Sequence, residues 1–121
     1  MTVRKDRKEV LVLIAADLAL RSTLVGRLSM QGETVMTFED APQFLAARRP
    51  APRPAVLIIE GIDAADYARV VAHHSWDLVL AVRPPAAAAP GSAAVVRLEH
   101  ADALTIPERL AEWRRARRPA E

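Results

Sequence analysis

The chain has no cysteine among its 121 residues, so disulfide staples and thiolate metal sites are excluded, and redox chemistry says nothing about its compartment. Aromatic residues make up only 4%, which leaves little stacking surface for nucleic-acid bases. The only lysines are Lys5 and Lys8, so the body of the chain has none for catalysis or anion binding. The four glycines, Gly26, Gly32, Gly61 and Gly91, stand apart, which rules out a glycine-rich phosphate cradle. No apolar run approaches the ~20 residues of a membrane-spanning helix. The charged opening "MTVRKDRKEV" is also unlike a secretory signal. A soluble, cytoplasmic protein without membrane partners is the expectation.

What the chain does have is apolar content, at 51%, enough to fill the core of one domain over residues 1–121 and too little length for two. The charge is uneven: a basic segment covers residues 1–8 and a second basic tail covers 114–121, while the middle is net acidic. A basic excess confined to the two ends reads as solvated tails, with "RRARR" at 114–118 also suiting the negative end of a helix dipole. The charge pattern therefore argues against nucleic acid as a partner.

Four continuous apolar runs read as strands covered on both faces: "EVLVLI" at 9–14, "AVLIIE" at 55–60, "DLVLAV" at 77–82 and "AAVVRL" at 93–98. A fifth, "ETVMTF" at 33–38, alternates and fits an edge strand. Helix signals fall between them. Asp17 can cap a helix in which Leu20, Leu24 and Leu28 recur every four residues, with Gly32 as the stop. Asp40 with Gln43 resembles a capping box, Pro42 falls in the first turn, and Phe44 and Leu45 supply an apolar face. Asp63 can cap a third helix with Tyr67, Val70, Val71 and His74 along one side. Thr105 and Glu108 open a fourth, whose buried stripe is Ile106, Leu110 and Trp113.

Strands alternating with helices imply parallel strands with right-handed crossovers, hence a three-layer α/β/α sandwich around a five-stranded parallel sheet. One crossover is irregular. Residues 83–94, "RPPAAAAPGSAA", hold four alanines between prolines, too few to nucleate a helix, so a loop with at most one helical turn is expected there.

The order of these elements, with "VLVLIAADLALRSTLVGRLSMQGETVMTFEDAPQFL" followed by "PAVLIIE", resembles the response-regulator receiver domain of two-component signalling over nearly the whole chain. The resemblance implies a flavodoxin-like fold, with the helix between the fourth and fifth strands shortened or missing. It also implies a phosphoacceptor position at Glu60, where the family has aspartate. The rest of the implied pocket is degenerate. Ala15 and Ala16 stand where two acids would hold Mg²⁺, with only Asp17 one place later. Ala81 or Val82 replaces the hydroxyl residue, and Leu98, Glu99 and His100 stand around the missing lysine. Without these groups nothing neutralises a transferred phosphoryl group, so no catalytic residue, metal or cofactor is expected and the chain reads as a non-enzymatic pseudo-receiver.

Glu60 has two readings: a built-in mimic of phosphoaspartate, or a strand-end carboxylate satisfied by a backbone N–H or an arginine such as Arg83. The second is the simpler. His73 and His74 diverge by about 100° on a helix and cannot grip one metal together. His100, near Glu99 and Asp102, lacks a nucleophile beside it. Trp76 and Trp113 read first as packing anchors. By the resemblance, Val96, Leu110 and Trp113 mark a possible partner surface for a histidine kinase, an output domain or a second copy in a homodimer. Two alternatives stay open: a receiver that takes up phosphoryl groups by a non-standard route through Glu60 or Asp17, and an anion- or nucleic-acid-binding domain using the arginine tail.

Overall fold

The first apolar run forms strand β1 (Val10–Ala15), and all six of its residues are buried. That burial on both faces explains why the run never alternates. The computed structural model describes residues 10–47, 54–73, 76–83, 94–98 and 105–117. After β1 come α1 (Leu18–Met30), β2 (Thr34–Phe38), α2 (Ala41–Ala46), β3 (Pro54–Glu60), α3 (Ala64–His73), β4 (Leu78–Val82), β5 (Ala94–Leu98) and α4 (Ile106–Arg117). The strands lie in the order β2-β1-β3-β4-β5, and every pairing is parallel.

Two apolar layers sandwich the sheet. Leu24 and Leu28 of α1 and Ile106 and Leu110 of α4 pack on one face, against alternate residues such as Leu11, Leu13, Ile58 and Leu80. Phe44 of α2 and Tyr67, Val70 and Val71 of α3 pack on the other, against Val12, Ile14, Leu57 and Val79. The alternating run forms β2 at the sheet margin, where burial is partial.

Local signals set the element ends. The Asp17 carboxylate accepts the Leu20 N–H at 3.1 Å, and Asp63 accepts the Asp66 N–H at 2.9 Å. Asp40 accepts the Gln43 N–H at 2.9 Å, while the Gln43 amide oxygen accepts from Glu39, one residue before the cap. Helix α1 stops in a Schellman turn: the Gly32 N–H reaches Ser29 O at 2.9 Å and the Glu33 N–H reaches Leu28 O at 3.1 Å. Gly32 sits at φ 86°, a conformation that favours glycine.

Trp76 is a core anchor, 5% exposed, with its indole N–H donating to Val70 O at 3.1 Å. His73 sets its ring edge-on to Phe44. The readings of a loop over 83–94 and of a lost helix there fall, apart from Arg83 and Ala94, outside the described residues. So do His74, Glu99, His100, Asp102 and the segments 1–8 and 118–121.

Candidate functional site at the carboxyl edge of the sheet

Register places four strand ends in one row: Ala15 pairs with Glu60, Glu60 with Val82, and Val82 with Leu98. Ala15, Val82 and Leu98 all belong to the α1/α4 side of the core, and strand alternation puts Glu60 on that side too. Ala81 does not join them. It lies in the α2/α3 layer, so of the two positions at which the resemblance would expect a hydroxyl it is Val82 that stands beside Glu60.

Among the described residues Glu60 is the only buried polar or charged one, 3% exposed. A carboxylate so placed needs partners that replace water. It has two. The Asp17 backbone N–H donates to Oε1 at 3.3 Å, and the Arg83 guanidinium donates to Oε2 in a close ion pair. The simpler reading of Glu60 gave both partner types, and both occur together.

Arg83 reaches Glu60 because its backbone leaves the strand at once. Its φ is 49°, the one positive φ of a non-glycine residue among the described residues. A left-handed step breaks the alternation that would carry the residue after Val82 to the opposite face. The Arg83 N–H donates to Leu98 O at 2.9 Å, which adds a rung to the β4–β5 ladder and anchors the turn.

The remaining groups are also committed. The Asp17 carboxylate caps α1, as its position predicts, and it is exposed. Arg21, one turn into α1, donates to Ala15 O at 2.6 Å and ties the helix to the end of β1. Gly61, at φ 72°, brings the β3 exit against the β1 exit, where a Cβ added to it would lie 3.3 Å from the Ala16 Cβ. Among the described residues no three histidine, aspartate or glutamate side chains converge where a cation could sit. Among the described residues the edge therefore holds one internally neutralised charge pair, with Ala15 beside Glu60 in the sheet and Ala16 and Gly61 at the exposed strand exits.

The proposed partner surface divides. Val96 and Trp113 are half-buried and, with Leu78, Leu80, Arg109 and Glu112, line a groove of about 240 Å³ between β4, β5 and α4. Leu110 must be removed from that surface: it is fully buried, because it faces the sheet in the middle of the α4 stripe.

The sequence reading missed Glu33 and Arg114. They join the start of β2 to α4 through two hydrogen bonds, and Glu33 directly follows the Gly32 stop, the only local hint of its fixed placement. Arg114, read as part of a basic tail in the last turn of the final helix, does lie in α4 and is paired with Glu33. No helix among the described residues is long and apolar enough to cross a membrane. Comparison with protein-family models, curated proteins and solved structures finds no match to the chain.

Proposed function

We propose that the chain is an atypical receiver domain with a flavodoxin-like fold, acting through protein contacts in signal transduction and not through phosphoryl transfer. The strand order, with its switch between β1 and β3, supports the fold assignment, because sheets of this order place their sites at the carboxyl ends of those strands. One observation carries the functional reading: at that edge the Glu60 carboxylate is already engaged by Arg83 and the Asp17 N–H. A nucleophilic carboxylate would have to give up both partners, and its neighbours Ala15, Val82 and Leu98 offer no group to stabilise a second anion. The edge serves instead as a fixed shape, with Arg83 half-exposed, and the groove beside Trp113 is a second place for a protein partner to rest.

Incubation with acetyl phosphate and Mg²⁺ is expected to leave the intact mass unchanged. A stable phosphoryl adduct on Glu60 or Asp17 would replace this reading with the non-standard phosphoacceptor. Salt-dependent binding to DNA, lost in Arg115→Ala/Arg118→Ala, would replace it with an anion-binding function. These two positions are chosen because Arg114 is committed to Glu33.

A further inference from the structure

We infer that the distal half of α4, residues 111–117, is a releasable strap, held down by the Glu33–Arg114 clamp and able to lift while the rest of the domain stays folded. This inference stands independently of the proposed function.

The two halves of α4 are attached differently. Ile106 and Leu110 are fully buried against the sheet and anchor the first half. Beyond them Trp113 is only half-buried, and it roofs the groove of about 240 Å³ whose floor is Leu78, Leu80 and Val96. A groove under a helix means apolar contacts that are not made. Residues 114–117 are three arginines and an alanine, so no large apolar side chain follows Trp113 to add purchase.

Beside the packing of Trp113 against the α1/α4 side of the core, an ion pair holds this half. Arg114 Nε donates to Glu33 Oε2 at 3.0 Å, and Nη2 donates to Oε1 at 2.9 Å, a fork that matches the carboxylate plane. The Glu33 side chain is 5% exposed and that of Arg114 is 23%, so the pair is sheltered and its loss would leave a buried carboxylate without its cation. The two partners differ in rigidity. Glu33 is fixed by the Schellman turn at the end of α1 and leads directly into β2, whereas Arg114 rides on the part of α4 with the weakest apolar attachment. Opening the clamp therefore moves the helix and not the turn. Lifting residues 111–117 would uncover Val96 and the outer sides of Leu78 and Leu80, turning a covered apolar face into an exposed one.

Amide hydrogen exchange by NMR on the intact chain tests this. In the parent, the amides of 111–117 are expected to exchange at least about tenfold faster than those of β1 and β3, through a local opening. Glu33→Gln, which lies outside the segment, is expected to accelerate 111–117 by a further several-fold and to leave β1 and β3 unchanged. If Glu33→Gln does not fold, Arg114→Lys, which keeps the charge but loses the fork, is read in the same way. The inference fails if 111–117 exchange at the rate of β1 and β3, if the substitution accelerates all amides equally, or if it leaves 111–117 as they were.

Discussion

Glu60 and Arg83 meet across the ends of β3 and β4, a carboxylate side chain 4% exposed receiving a guanidinium side chain 51% exposed. The asymmetry decides what each contributes. The carboxylate has left water and depends on its partner, while the arginine keeps half of its hydration.

Arg83→Ala is therefore expected to destabilise the domain by about 1 kcal/mol, at the low end of the cost of orphaning a buried acceptor because the exposed side of the site admits water. Glu60→Gln should cost a similar amount. The double variant should lose less than the sum, by at least about 0.5 kcal/mol, since removing both charges leaves no buried charge without its counter-ion. Urea denaturation of the four proteins measures this, and strict additivity would show that the pair is not coupled.

A second prediction separates the side chain of Arg83 from its backbone. The φ of 49° disfavours any residue with a Cβ. Both Arg83→Ala and Arg83→Gly lose the ion pair and keep the N–H bond to Leu98 O, but only glycine relieves the left-handed strain. Arg83→Gly should be the more stable of the two by about 0.5–1 kcal/mol. Equal midpoints would mean that the turn carries no strain.

Two glycines should respond in opposite directions to the same change. Gly26 lies within α1 with open space where a Cβ would go, so Gly26→Ala should stabilise by about 0.5–1 kcal/mol. Gly61 sits at φ 72° with the Ala16 Cβ 3.3 Å from an added Cβ, so Gly61→Ala should destabilise by about 1–2 kcal/mol. Ala16→Gly in the second variant should recover only the contact part of that loss. Thermal melts suffice, and a neutral Gly61→Ala would refute the close approach.

Trp76→Phe removes the N–H that donates to Val70 O and part of a buried ring system that touches Phe44. The expected loss is about 1–3 kcal/mol, with the overall fold retained. A change within a few tenths of a kcal/mol would mean that the indole is not held as described.

Much of the fold was legible because its signals are local or periodic. β1 and β4 read as doubly covered strands from unbroken apolar runs, and their observed bounds differ from the expected ones by a single residue. Asp17, Asp40 and Asp63 announced helix starts because a cap acts within three residues of itself. The site was half-legible. Strand order alone suggested Arg83 as a partner for Glu60, but neither the left-handed step that delivers it nor the Asp17 N–H that accompanies it leaves a mark in composition. The choice between Ala81 and Val82 needed register, which periodicity does not supply. Leu110 was read both in the buried stripe of the last helix and on a partner surface taken from the resemblance, and its full burial agrees with the stripe. The Glu33–Arg114 clamp was invisible for a different reason: its partners are 81 positions apart, and each alone reads as an ordinary surface charge.

The strand order has a consequence for how the chain comes into being. β2, β1 and β3 are contiguous, so once synthesis has passed Glu60 three neighbouring strands are already present, and β4 and β5 are then added one after the other along a single flank. No strand has to be threaded between two that are already joined once β3 is in place. Synthesis and assembly can run in the same direction, with α4 closing over the finished sheet last.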